Sequence, residues 1–136
     1  FADTAYAPLA ALTMAKIKVE AGDLAAANAH LRWALDNAKE DAVRHEARLR
    51  LAKIMSVEAK YDEALSLLNG VDAGVYATSY EQLKGDIFVA QGQPESARAA
   101  YSKALASTTS DERGRALLQM KLDNLGQVTA GNQSAS

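Results

Sequence analysis

Residues 58–68 read "EAKYDEALSLL", and the phrase has an echo on each side, "AGDLAAANAHLRWAL" at 21–35 and "QGQPESARAAYSKAL" at 91–105. Aligned on Ala27, Ala64 and Ala97, the three stretches stand 37 and then 33 residues apart. Both steps lie close to about 34 residues, the length of one helix–turn–helix unit in a stacked repeat. Within each unit the same roles return. A small residue (Ala15, Ala52, Gly85) precedes a turn residue (Gly22, Ala59, Gly92) by seven positions; the aligned alanine lies five beyond the turn, and a large apolar residue (Leu31, Leu68, Tyr101) four beyond that.

Close packing explains the pattern. Two antiparallel helices reach the short end of the usual interaxial range of about 8–10 Å only where small side chains meet at the crossing. The large residue then fills the groove beside them. Composition agrees: Ala, Leu, Glu, Lys and Arg dominate, and the two prolines and eight glycines are few enough to leave helix nearly throughout. Gly22, Gly70, Gly74, Gly92 and Gly126 mark joints, Asp23 reads as an N-cap, and Pro94 suits a first helical turn. Apolar residues at three- and four-residue spacing place helices at 4–20, 24–37, 41–58, 61–69, 75–91, 94–106 and 110–125. The tail "QVTAGNQSAS" over 127–136 is small and polar and reads as flexible. Val71 and Lys84 depart from the repeat pattern, and the 37-residue first step implies a longer loop near "NAKEDA".

The expectation is therefore an all-α chain, a superhelix of three helical hairpins at about 4–37, 41–69 and 75–106. A capping helix over 110–125 completes one domain spanning 1–126. At 136 residues a single domain is the default, and 49% apolar with 24% charged residues is an ordinary globular composition. A net charge of −2 supplies no basic field for a phosphate backbone, so nucleic acid is not an expected partner. The absence of cysteine removes disulfides, thiolate metal sites and cysteine nucleophiles, and fits either redox compartment. No uninterrupted apolar run is long enough to cross a bilayer. The chain opens on Phe1 rather than Met, which reads as a trimmed or processed product whose signal or anchor lies upstream.

The repeat pattern over 4–106 resembles tetratricopeptide proteins. More specifically, "GDLAAANAHLRWALDNAKEDAVRHEARLRLAKI" at 22–54, with "YDEALSLL" and "LKGDIFVAQGQPESARAAYSKAL" after it, resembles the YfgM family, bacterial inner-membrane proteins described as ancillary subunits of the Sec translocon. In that family a short cytoplasmic start and one membrane helix precede a periplasmic repeat domain, which associates with the translocon and with chaperones such as PpiD. The resemblance thus implies the periplasmic domain of a single-pass inner-membrane protein that binds proteins or peptides and links the translocon to chaperones. A lipid-anchored envelope-assembly scaffold is the alternative, which the residues upstream of Phe1 would decide. Whether the chain forms a homodimer stays open.

In such a superhelix the first helix of each hairpin lines the groove. Repeat position then nominates Leu9, Leu12, Lys16, Val19, Leu49, Arg50, Lys53, Val57, Gln82, Asp86 and Val89 as a partner-binding groove; the competing reading is that these side chains simply pack on one another and on the capping helix. A carboxylate clamp would use Lys16 with Thr13 and Lys53 with Arg50, but the Asn that donates to the peptide backbone is missing. Arg44, Arg48, Arg50 and Lys53 form a basic cluster, better read as a solvated face balanced by Glu40, Asp41 and Glu46. Trp33, beside Leu31 and Leu35, reads as partly buried as readily as an anchor, and Tyr76 and Tyr80 as packing at a helix start. His30 and His45 stand on separate helices without ligand-spaced neighbours, so no metal is expected. No nucleophile elbow, P-loop or dinucleotide motif occurs, and Asp62–Glu63 and Asp111–Glu112 read as first-turn acids. No cofactor and no catalytic residue are expected.

Overall fold

The computed structural model describes the backbone of residues 6–108 and 111–134 and side chains up to residue 126. Among the described residues seven α-helices follow in order: α1 Tyr6–Glu20, α2 Leu24–Asn37, α3 Asp41–Val57, α4 Tyr61–Leu68, α5 Ala77–Ala90, α6 Pro94–Ser107 and α7 Glu112–Ser134, with one 3₁₀ turn at Gly74–Tyr76. Every regular element among the described residues is helical, as the sequence predicts. The chain divides into two compact units, residues 1–69 with α1–α4 and residues 70–136 with α5–α7.

Three turns join the hairpins, and all three close with the same hydrogen bonds. At the end of α1, Gly22 N–H donates to Val19 O and Asp23 N–H to Lys18 O, at 3.0 and 2.8 Å. At the end of α3 the pairs are Ala59 to Ser56 and Lys60 to Met55, again at 3.0 and 2.8 Å; at the end of α5 they are Gly92 to Val89 and Gln93 to Phe88, at 3.0 and 2.9 Å. This is the Schellman closure, which requires a left-handed residue at the turn. Gly22 (φ 80°) and Gly92 (φ 73°) adopt it freely, whereas Ala59 (φ 61°) does so against its own Cβ. Asp23 also caps α2, its Oδ1 accepting from Ala26 N–H at 3.1 Å.

In the first unit α2 packs between α1 and α3, and α3 between α2 and α4. Small and large residues meet as the repeat requires: Ala15, Ala27, Ala52 and Ala64 are fully buried, and Leu31 and Leu68 nearly so. Each such leucine contributes about 1.5–3 kcal/mol of apolar burial. The extra residues of the first repeat step do not lengthen a loop, contrary to the expectation at "NAKEDA". Only Ala38–Glu40 separate α2 from α3; the added length is helix, with 14 residues in α2 and 17 in α3 against 8 in α4. The long irregular stretch falls instead after α4, where Gly70 takes φ 74° beyond Asn69.

In the second unit α6 packs against α5 and α7. Ala97, Tyr101, Ala104, Leu118 and Leu125 form a buried cluster, flanked by Phe88, Leu105 and Leu122. Gly85 holds the small-residue position, and a Cβ there would stand 2.5 Å from Cδ1 and 2.9 Å from Cζ of Tyr101. The bare backbone of α5 thus makes room for a ring where the other repeats place a leucine. Tyr101 Oη donates to Asp86 Oδ1 at 2.5 Å, Lys121 Nζ from α7 reaches the same oxygen at 2.8 Å, and the ammonium lies 5.6 Å from the ring centroid. Burial, then the hydrogen bond to Asp86 and its negative charge, push the Tyr101 phenol well above the ordinary tyrosine range.

Asp111 caps α7, its Oδ1 accepting from Gly114 N–H at 3.1 Å. The sequence placed a helix end at 125 and a flexible tail over 127–136, yet the backbone of α7 is helical to Ser134. Glycine weakens a helix interior by about 1 kcal/mol without breaking it, and no proline follows Gly126 to stop propagation.

Candidate partner-binding site

An open apolar cleft of about 370 Å³ lies in the first unit between α1, α2 and α3. Its floor is made by Ala15, Leu31 and Ile54, each buried, and its walls by Val19, Leu24 and Val57. Val19 is 44% and Val57 75% exposed, so each would gain about 1 kcal/mol or more from cover. Lys16, Lys53 and Arg50 stand at its rim.

The three cations differ. Arg50 is held in place, its Nε donating to Glu46 Oε1 at 2.7 Å and its Nη1 to the Leu12 carbonyl of α1 at 3.3 Å. Lys16 and Lys53 are exposed and take part in no ion pair among the described residues. The site therefore offers an apolar floor with two exposed positive charges at its edge. That combination is chemically suited to an apolar side chain whose neighbours are acidic or whose backbone carbonyls face outward.

Five of the nominated groove residues meet here: Lys16, Val19, Arg50, Lys53 and Val57. Leu9, 44% exposed, and the half-buried Leu49 lie outside the cleft, and Leu12 is buried at 8%. Gln82, Asp86 and Val89 belong to the second unit and are not gathered into one site. Gln82 lines a polar hollow of about 430 Å³ with Thr78, Ser79, Ser107 and Thr108. Asp86 is engaged by Tyr101 and Lys121, and Val89 is exposed. Position in the repeat missed Ala15, Leu24, Leu31 and Ile54. Leu24 continues the stripe Ala27, Leu31, Ala34 one step toward the N-cap, a signal present in the sequence.

Of the clamp residues, Thr13 spends its hydroxyl on the Leu9 carbonyl of its own helix at 3.3 Å. In the basic cluster Arg44 pairs with Asp41 and donates to the Ala38 carbonyl at 3.3 Å, and Arg50 pairs with Glu46, the balancing acids that the sequence suggested. Trp33 is 40% exposed and Tyr80 buried at 2%. Among the described residues no group of three or more His, Asp or Glu side chains could hold a metal ion. None of their helices is long and apolar enough to cross a membrane.

Comparison with known proteins supplies the context. The family model described as "Tetratricopeptide repeat-like domain" matches residues 1–127. A protein of Neisseria gonorrhoeae named "Ancillary SecYEG translocon subunit" is 35% identical over 85% of this chain and 56% of its own length. Proteins of the same name from Aggregatibacter actinomycetemcomitans and Escherichia coli are 34% and 27% identical, over 90% and 88% of this chain and 59% and 58% of theirs. The chain thus spans somewhat over half the length of the curated relatives it matches. No solved structure matches it with significance.

Proposed function

Since the chain belongs to the tetratricopeptide repeat-like domain family, and its curated relatives bear out the resemblance to the YfgM proteins, we propose that it is a non-enzymatic binding domain of a Sec translocon subunit. In this reading residues 1–126 act as one run of repeats on the periplasmic side of the bacterial inner membrane, tethered through a segment outside this sequence. The domain joins the translocon to a periplasmic chaperone of the PpiD kind.

The observation that carries the proposal is the cleft between α1, α2 and α3, where Val19 and Val57 stay uncovered beside Lys16 and Lys53, which form no ion pair among the described residues. The floor is set by buried side chains on rigid helices, so a partner segment loses little free energy to ordering the site. The test is capture of the full-length protein from detergent-solubilised membranes, wild type against a Lys16→Glu, Val57→Glu double variant. Both side chains are exposed, so circular dichroism is expected to be unchanged while recovery of translocon and chaperone falls about tenfold, the effect of some 1.4 kcal/mol. Undiminished recovery with intact folding would rule the cleft out.

A further inference from the structure

The cleft between α1, α2 and α3 is charged against the rest of the molecule. Its lining holds three cations, Lys16, Arg50 and Lys53, and no carboxylate, on a chain whose 17 acidic and 15 basic residues leave a net charge of −2. Glu46, outside the lining, neutralises Arg50 at 2.7 Å. The carboxylates nearest in sequence do not do the same for the lysines. Asp23 caps α2, Glu58 lies 3.9 Å from Lys60, and Glu20, four residues beyond Lys16, is exposed and forms no ion pair among the described residues. Two positive charges are left over at the mouth of an apolar recess.

Those two lysines hold the same position in the repeat. Lys53 lies 37 residues after Lys16, and each follows the fully buried alanine of its helix crossing, Ala15 or Ala52. In the third repeat this register carries Asp86, which follows Gly85 and is engaged by Tyr101 and Lys121. The positive pair therefore belongs to the first unit alone, one lysine beside Ala15 on α1 and the other beside Ile54 on α3.

On the reading of this cleft as a partner site, we propose that its occupant is an acidic segment of a partner protein, with one apolar side chain seated on Ala15, Leu31 and Ile54 and an Asp or Glu close to it on either side. Lysine carries its ammonium on a flexible four-carbon stem, so each can follow a carboxylate placed about one to three residues from the anchor, at roughly 3.3 Å per residue of extended chain. A charge-assisted hydrogen bond to a carboxylate is about twice as strong as one to a neutral acceptor, which favours Asp and Glu over bare backbone. An anionic bilayer fits less well. Lipid surfaces are recognised by clusters of about 4–8 basic residues, and the net negative chain is repelled by such a surface as a whole.

The test pans a random dodecapeptide library against the 136-residue chain, as wild type and as a Lys16→Glu, Lys53→Glu variant. Both lysines are exposed, so the two proteins should give the same circular dichroism. Wild type should enrich Asp and Glu about tenfold over Lys and Arg beside an apolar residue, and the variant should reverse that preference. The selected peptide should lose about two- to fivefold in affinity with Lys16→Met and again with Lys53→Met, and about tenfold as salt rises from about 0.05 to 0.5 M. Peptides that share an apolar anchor without acidic flanks, and that Val57→Glu releases, overturn the charge rule while the cleft stands as a partner site. Peptides that Val57→Glu does not release, or no enrichment at all, overturn both. Lysine-dependent binding to phosphatidylglycerol vesicles, or a lysine-dependent dimer in sedimentation, in place of peptide selection assigns the charges to lipid or to a second copy and overturns the proposal.

Discussion

Adding one methyl group at Gly85 tests the packing logic of the whole repeat. In an ordinary helix Gly→Ala stabilises by about 1 kcal/mol. Here the new Cβ would stand 2.5 Å from Cδ1 of Tyr101, and the ring has nowhere to go. It is 2% exposed, tied to Asp86 through its hydroxyl and overlaid by the Lys121 ammonium. Overpacking of this kind costs about 1–3 kcal/mol. A displaced ring also strains its hydrogen bond to a charged acceptor; such bonds contribute about 1.5–3 kcal/mol, and the 42% exposure of the Asp86 side chain puts this one at the low end. Set against the helix gain, Gly85→Ala should destabilise by about 2–3 kcal/mol, a fall of about 5–10 °C in a circular-dichroism melt for a chain of this size. The companion measurement is Gly85→Ala in a Tyr101→Leu background, which rebuilds the alanine–leucine pairing of Ala15 with Leu31 and of Ala52 with Leu68. There the alanine should be neutral or stabilising by up to about 1 kcal/mol, a reversal of sign that additive sites do not give. If Gly85→Ala alone leaves the melt unchanged or raises it, the account of α5 and α6 is wrong.

Three other outcomes can be measured on the same protein. Ala59→Gly should stabilise by about 0.5–1 kcal/mol, because it relieves a left-handed alanine at φ 61° whose strain of about 1–2 kcal/mol exceeds the entropy cost of glycine; Gly22→Ala and Gly92→Ala should lower the melting temperature. The Tyr101 phenol is an acid whose pKa folding raises, so its contribution is whole below about pH 10 and is lost as pH climbs above that; melts from pH 8 to 11 should fall more steeply for the wild type than for Tyr101→Phe. Leu12→Ala should cost about 2–4 kcal/mol in denaturant unfolding and Val57→Ala less than about 0.5, since the first side chain is 8% and the second 75% exposed.

The helices were legible because their signals are local. Breakers at Gly22, Gly70 and Gly92 and the three- and four-residue apolar spacing place most ends within two residues. What spacing cannot do is apportion length: a 37-residue step is the same number whether the extra residues enter a loop or a helix, and at "NAKEDA" they entered helices. The cleft was half legible for a related reason. Lys16, Lys53 and Val57 follow from repeat position, but the floor is built by Leu31 and Ile54, core residues by every sequence criterion, whose other edge happens to stay open. Asp86 occupies a groove position by the same register, yet Tyr101 and Lys121, 15 and 35 residues further on, turn it into the post to which α6 and α7 are fastened. Only the fold brings those three together.

The three identical turn closures have a bearing on evolutionary drift. Each joins two helices through main-chain groups alone, so the angle of a hairpin survives almost any exchange of side chains that keeps one residue able to turn left-handed. An architecture fixed in this way tolerates wide substitution along its outer surfaces, and relatives only 27–35% identical can keep the same hairpins while each retunes the side chains it presents.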